Sequence, residues 1–170
     1  MVLNFDKKLV DMIYMLHTSN EFPWYYQAQT TNPDAEKNHL TFDTPQLTHV
    51  FYKDGKENSD FYKPVKELLD SRVEYKSIFR IKANMTTPFK NNHKSFYRPI
   101  HLDIPESGYK SLIYYINDSD GDTVFFYSDM VKRIKPKMGT GILFDSNMPH
   151  AGSNPIDSKF RMVLNYIVKI

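Results

Sequence analysis

His101 and Asp103 are separated by one residue, in Tyr97-Arg98-Pro99-Ile100-His101-Leu102-Asp103. Side chains alternate faces along a strand, so an imidazole and a carboxylate at this spacing point the same way. Two such donors can grip one metal ion and leave other positions on it open. A third donor, His150, stands far along the chain, in Asn147-Met148-Pro149-His150-Ala151-Gly152. Two imidazoles and one carboxylate are the ligand set that holds non-haem Fe(II). Arg161 follows on a stretch of alternating character. Phe160, Met162, Leu164 and Tyr166 fall on one face, and Arg161, Val163, Asn165 and Ile167 on the other. A guanidinium among apolar neighbours is costly to bury unless it meets an anion. Its planar fork suits a carboxylate. A His-x-Asp pair alone is a weak signal, and the same residues can form a satisfied polar cluster in a binding module without turnover. The four together favour a metal site.

The elements that must position these residues are legible in outline. Leu9, Met12, Ile13 and Leu16 lie at i, i+3, i+4 and i+7, which predicts a helix over Asp6–His17 capped by Asn4 or Asp6. A second helix is predicted from near Asp60 to Asp70, with Phe61, Val65, Leu68 and Leu69 as its apolar face and Pro64 near its start. Gln46–Tyr52 is short and β-like, and Lys53–Ser59 reads as a solvated turn around Gly55. After Arg72 the period becomes 2. Strands are predicted at Ser77–Asn84, Ser95–Asp103, Tyr109–Asn117, Thr123–Tyr127, Val131–Lys135, Thr140–Asp145 and Phe160–Lys169. Thr30–Asn38 and Met85–Lys94 read as polar loops. Phe22-Pro23-Trp24-Tyr25-Tyr26 reads as an aromatic plug at one end of the core. The sharper alternative makes Trp24–Tyr26, with Met85–Lys94, a lid over a pocket. Two helices before about eight closely spaced strands give an α+β, mainly β fold, of sandwich or barrel type.

Composition narrows the function classes. At 170 residues, with no linker or repeat, one domain is expected over 1–170. Its helical part covers about 1–75 and its β core about 76–170. A net charge of +2 argues against a dedicated nucleic-acid binder, while leaving room for a local basic patch. The chain has no cysteine, which excludes disulfides, thiolate metal sites and cysteine nucleophiles. There is no signal-peptide core over Met1–Leu16 and no bilayer-length apolar run, so a soluble, cytoplasmic protein with no membrane partner is expected. Asp118, Asp120 and Asp122 resemble the start of a calcium loop. The Gly and Glu that such a loop needs are replaced by Thr123 and Asp129, so a solvated hairpin turn is the better reading. His17, His39, His49 and His93 read as surface or loop residues.

The set His101-x-Asp103, His150 and Arg161, with Gly-Thr-Gly-Ile-Leu-Phe before the distal histidine, resembles the Fe(II)/2-oxoglutarate-dependent oxygenases. Within them it is similar to the prolyl 4-hydroxylase-like branch, in compact forms found in bacteria and their viruses. Ile113-Tyr114-Tyr115-Ile116-Asn117, then Gly121 and Thr123-x-Phe125, is similar to that branch's Tyr-Leu-Asn…Gly-Gly-x-Thr-x-Phe segment. Pro136-x-x-Gly139 before an apolar strand and His150 is similar too. The resemblance runs from about Ile78 to Ile170. Two departures stand out. Asp120 replaces a second glycine beside Gly121, and the Thr or Ser often found beyond the arginine is missing, Asn165 being the nearest polar residue on that face.

The resemblance implies a double-stranded β-helix, a jelly roll, with N-terminal helices. It implies that His101, Asp103 and His150 are the catalytic metal ligands for Fe(II), and that 2-oxoglutarate and O2 are co-substrates. Arg161 would pair with the distal carboxylate of 2-oxoglutarate, with Tyr115 and Asn165 as further cofactor-binding candidates. The implied reaction hydroxylates a substrate C–H bond with release of succinate and CO2. A peptidyl prolyl residue is the leading target. Small-molecule or nucleobase hydroxylation, with Lys90, His93 and Lys94 meeting an anionic group, is the alternative, and a non-catalytic jelly-roll binding module the third. Lys82, Asn84, Tyr97 and Arg98 are further residues to examine at the pocket edge.

Overall fold

The computed structural model describes residues 1–28 and 40–170; the loop expected over Thr30–Asn38, and His39, lie outside the described residues. Among the described residues the elements are β1 (Val2–Asn4), α1 (Lys7–Thr18), β2 (Tyr25–Gln27), β3 (Gln46–Lys53), β4 (Lys56–Glu57), α2 (Tyr62–Asp70), β5 (Ser77–Thr86), β6 (Tyr109–Tyr115), β7 (Thr123–Phe126), β8 (Val131–Ile134), β9 (Thr140–Asp145), β10 (His150–Gly152) and β11 (Arg161–Lys169). Eight strands form one sheet in the order β1-β9-β6-β11-β5-β3-β2, with β4 paired to β3. Three form a second, β10-β7-β8. The fold is α+β and mainly β. Its two-sheet arrangement is consistent with a double-stranded β-helix, although the described strands do not close into a barrel. No helix among the described residues is long and apolar enough to cross a membrane.

Both helices lie where the periodicity puts them. Asp6 caps α1, its carboxylate accepting from the Lys8 N–H at 2.9 Å; this satisfies one of the amide donors left over at a helix start. In α2, Pro64 falls within the first turn, where no intrahelical N–H is required. Tyr62, Val65, Leu68 and Leu69 are buried beneath the helix. The last three are fully enclosed, and each burial contributes about 1.5–3 kcal/mol. They join Ile81, Ala83, Leu112, Tyr114, Met162, Leu164 and Tyr166 in the main core. A smaller cluster of Ile113, Tyr115, Phe125, Ile142 and Val163 joins the other face of the large sheet to the small sheet. The alternation expected along β11 is therefore observed: its even-numbered residues meet the helices, while Val163 faces the small sheet.

Several expectations need correction. Ser95–Asp103 is not a regular strand. It is an extended segment held by isolated bridges, Tyr97 to Thr41 and His101 to His150. Pro99 has no N–H to donate, which interrupts any ladder through this segment. The acidic turn at 118–122 does not close a hairpin, because β6 belongs to the large sheet and β7 to the small one. Instead the Asp120 carboxylate accepts from the N–H groups of Ile156, Asp157 and Ser158, which holds its pKa below the ordinary range despite partial burial. The Lys53–Ser59 turn is a tight hairpin, β3 to β4, with positive φ at Asp54 (54°) and Gly55 (76°). That is the Asp-Gly pattern favoured in two-residue hairpin loops.

His17 and His49 are buried rather than at the surface. His17 lies four residues after Ile13, on the apolar face of α1, and its ring packs among Phe22, Trp24 and Phe51. His49 is on β3, between the Pro23 carbonyl and the Ser59 hydroxyl. His93 is exposed, as expected.

Candidate metal centre

His101 and His150 face each other across a hydrogen-bonded antiparallel pair. Each backbone N–H donates to the other's carbonyl at 3.0 Å, and the ring centroids are 4.5 Å apart. Two residues on, the Asp103 N–H donates to Ser146 O at 2.9 Å. Thus a short paired segment, not a long strand, brings the carboxylate beside both rings. The ligand atoms of the three residues all lie within 4.8 Å of one another. His150 Nε2 is 3.7 Å from Asp103 Oδ2.

The hydrogen bonds decide which atoms are free. His101 Nδ1 lies 3.1 Å from Pro99 O, and His150 Nδ1 lies 2.9 Å from Met148 O. A carbonyl can only accept, so each ring carries its proton on Nδ1 and leaves the Nε2 lone pair for a ligand. Burial, and next the neighbouring His101, lowers the His150 pKa to about 4, which keeps that lone pair available at neutral pH. Burial pushes the Asp103 pKa up, but His150, His101, Arg80 and the Ser111 hydroxyl outweigh it, and the net direction is down. Its Oδ2 accepts from Ser111 Oγ at 2.7 Å and from Asn165 Nδ2 at 3.1 Å. Arg80 lies 3.4 Å from Oδ1 and donates to Asn165 Oδ1. Outer hydrogen bonds of this kind orient metal ligands. Two imidazoles with Nε2 left for a ligand and an oriented carboxylate fit Fe(II) in chemistry and number.

The three residues open on a cavity of about 270 Å³, which Arg161, Thr123, Arg80, Lys82 and Asn165 also line. Arg161 is 6 % exposed, and among the described residues it makes no ion pair. Its Nε donates to Gly121 O at 2.7 Å and its Nη2 to Thr123 Oγ1 at 2.9 Å. Gly121 is required by packing: a Cβ there would sit 2.6 Å from Ser153 O. Tyr115 donates its hydroxyl to the same Thr123 Oγ1 at 2.8 Å. Burial, the largest influence, raises the Tyr115 pKa, so the phenol keeps the proton it donates. With two donors on its oxygen, Thr123 has its own proton to offer to a further acceptor. Asp122 acts on this guanidinium only at a distance, its carboxylate lying 3.6 Å from Arg133, so among the described residues the end of the cavity at Arg161 is a buried cation and a hydroxyl with no carboxylate in ion-pair contact.

No protein-family model matches the sequence, and no curated protein matches it. Solved structures do. A 2OG-Fe(II) oxygenase family oxidoreductase from Burkholderia pseudomallei aligns over 99% of this chain and 84% of its own, with TM-score 0.63 and 13% identity. A prolyl hydroxylase from Trichoplax adhaerens, in complex with a hypoxia-inducible-factor peptide fragment, aligns over 99% and 83%, with TM-score 0.61 and 12% identity. SnoN, a non-heme alpha-ketoglutarate-dependent epimerase of nogalamycin biosynthesis, aligns over 98% and 76%, with TM-score 0.61 and 10% identity. The fold is that of the 2OG-Fe(II) oxygenases. The His101, Asp103 and His150 set within it is consistent with Fe(II) binding.

Within this fold the predicted residues take distinct places. His101, Asp103 and His150 converge, and Arg161 lines the same cavity. Tyr115 reaches that end of it through Thr123. Asn165 is bonded to Asp103 and Arg80. Lys82 and Asn84 line the cavity. Tyr97 packs against Phe126, and Arg98 is buried beside the cavity, bonded to Thr44 and Asn154. Phe22 and Trp24 pack with His17 as the expected aromatic plug, whereas Tyr25 and Tyr26 are exposed on β2, and none of Trp24–Tyr26 lines the cavity. Thr86 is the cavity-lining residue of the expected lid stretch. Thr123, Ser111 and Arg80 were not singled out by type. Strand alternation was the available signal, because Ser111 shares a face with Ile113 and Tyr115, and Arg80 with Lys82 and Asn84.

Proposed function

We propose that this chain is an Fe(II)- and 2-oxoglutarate-dependent dioxygenase that hydroxylates a substrate C–H bond, with a peptidyl prolyl residue as the leading target. One atom of O2 enters the substrate as hydroxyl and the other enters succinate as 2-oxoglutarate loses CO2, so the four electrons that reduce O2 come from the C–H bond and the keto acid. The observation that carries the reading is the convergence of His101, Asp103 and His150 beside the buried Arg161, which makes no ion pair among the described residues.

When bound, Fe(II) would supply the site for dioxygen activation. The chain's own residues do the rest. His101 and His150 present Nε2, fixed by their Nδ1 bonds, and Asp103 presents the free portion of a carboxylate held by Ser111 and Asn165. Arg161 and the Thr123 hydroxyl receive the distal carboxylate of 2-oxoglutarate, and Tyr115 holds Thr123 for that task. The jelly roll and the prolyl 4-hydroxylase-like branch belong to the same reading, supported by the sequence resemblance and by the peptide-bound prolyl hydroxylase among the similar folds.

Arg161→Ala tests the clamp. Loss of one partner of a buried charge pair costs several kcal/mol, so the half-saturating 2-oxoglutarate concentration should rise about 100-fold. Normal succinate production by the variant at low 2-oxoglutarate would contradict the role. Mass spectrometry of prolyl peptides after turnover tests the substrate; no added oxygen in any of them would remove the peptide reading. A small-molecule hydroxylase is the second reading, favoured by the modest cavity and by the cations on its wall. Lys90, His93 and Lys94 do not serve it, since all three are exposed and none lines the cavity.

A further inference from the structure

The cavity carries more positive charge than the proposed chemistry uses. Arg80, Lys82, Arg98 and Arg161 line it, against the single carboxylate of Asp103. Arg98 is already matched, with Asp43 3.7 Å away and bonds to Thr44 and Asn154. Arg161 is assigned to the co-substrate, and Asp103 to the metal. Arg80 and Lys82 remain. Lys82 Nζ makes no hydrogen bond or ion pair among the described residues. Arg80 keeps a buried Nε without a partner, and its Nη2, which donates to Asn165 Oδ1 at 3.1 Å, lies 3.4 Å from the carboxylate that the metal would claim.

Register separates this pair from Arg161. On β11, Arg161 lies opposite Thr86 of β5, and Asn165 lies opposite Lys82. Four residues of strand put Lys82 about 13 Å from the Arg161 position. Asn165 is bonded to Asp103, so Arg80 and Lys82 stand at the metal-ligand end of the cavity, away from the co-substrate clamp. A carboxylate held at Arg161 does not neutralise them.

Resting on the dioxygenase reading above, we propose that Arg80 and Lys82 recognise an anionic group of the substrate: the molecule to be oxidised carries a carboxylate that docks on this pair and sets a neighbouring C–H bond against the metal. Two cations on the inner wall of a sheet are expensive to keep apart from counter-charge. Burial, then Arg80 and Arg98, lowers the Lys82 pKa to about 8, a strain that an arriving carboxylate relieves. The carboxylate has two sources, a free small-molecule acid or an acidic residue beside the target in a peptide, and both present the same chemistry to the pair.

The test uses two matched pairs of probes: N-acetylproline against N-acetylprolinamide, and N-acetyl-Pro-Glu-amide against N-acetyl-Pro-Gln-amide. Each is titrated calorimetrically into the anaerobic protein with Fe(II) and 2-oxoglutarate. The acidic member of at least one pair binds about tenfold or more tighter than its neutral partner, as a bond to a charged group warrants. Preference in the first pair identifies a free acid, and preference in the second an acidic peptide. Lys82→Met removes the preference, and Lys82→Arg, which keeps the charge, retains it. Equal binding within both pairs, binding of no probe at millimolar concentration, or a preference that survives Lys82→Met overturns the proposal. Failure of the dioxygenase reading shows separately, as no chelate absorption on adding Fe(II) and 2-oxoglutarate. An acid preference without that absorption leaves the anion site standing and removes the oxygenase.

Discussion

The two faces of β5 and β11 are built from alternate residues of the same strands, yet they do opposite work. Toward the helices they present Ile81, Ala83, Met162, Leu164 and Tyr166, all buried in one apolar cluster. Toward the cavity they present Arg80, Lys82, Asn84, Thr86, Arg161 and Asn165. The first face needs only close packing to be stable. The second holds buried polar groups that oppose folding unless each finds a partner. Many do: Asn165 joins Asp103 to Arg80, and Arg161 is braced on Gly121 and Thr123. Among the described residues the groups left short of partners on this face, the Lys82 ammonium, the Arg80 Nε and the Thr86 hydroxyl, with the Arg161 guanidinium that makes no ion pair, mark where ligands belong. A sheet anchored firmly on one side can carry that deficit on the other.

The sharpest way to break this contrast is to cut into the helix side. Leu164→Ala removes a fully enclosed side chain and should cost about 2–5 kcal/mol, a melting temperature lower by about 10 °C. Metal binding by the folded fraction should persist. A small stability change in calorimetry, or loss of metal binding without unfolding, would show that the faces do not divide the work as described.

Acid should also act on the helix side, more gently. His17 is pushed to about 4, chiefly by burial, against an ordinary value of 6.5. Between those values the unfolded chain binds the proton and the folded chain does not. This contribution is therefore fully present above pH 6.5 and is lost as pH falls toward 4, up to about 3 kcal/mol. His49 is also lowered by burial and adds in the same direction. Urea midpoints at pH 7.5, 6 and 4.5 should show a steeper fall for the native protein than for His17→Leu. Parallel slopes would contradict the assignment.

On the cavity side the smallest effect is the most diagnostic. Asn165→Ala removes the amide that holds Asp103, and outer-ligand losses of this kind weaken metal binding about 10–100-fold. Stability should change far less than for Leu164→Ala. A metal titration with unchanged affinity would deny Asn165 its positioning role.

Much of this contrast was readable from residue order. The period of 2 along Phe160–Lys169 assigns both faces of β11, and residue type with spacing singles out His101, Asp103, His150 and Arg161. The failures have local causes. Alternation over 97–103 suggested a strand, but Pro99 withholds a donor, and the ligands are carried by one paired bridge instead. His17 reads as polar by type, although its place four residues after Ile13 is on the apolar stripe. Thr123 and Ser111 matter through partners that only the folded chain brings near: Arg161 and Tyr115 for one, Asp103 for the other. The Arg80–Lys82 surplus is likewise a property of the assembled cavity, since the chain as a whole is nearly neutral.

The central claim is that His101, Asp103 and His150 hold Fe(II) with room for 2-oxoglutarate beside it. Anaerobic addition of both to the purified protein, followed by visible absorption, tests it most directly. The native protein should develop the charge-transfer band of the chelate, and folded Asp103→Ala should not. A folded native protein without the band, or an unchanged band in Asp103→Ala, would contradict the account.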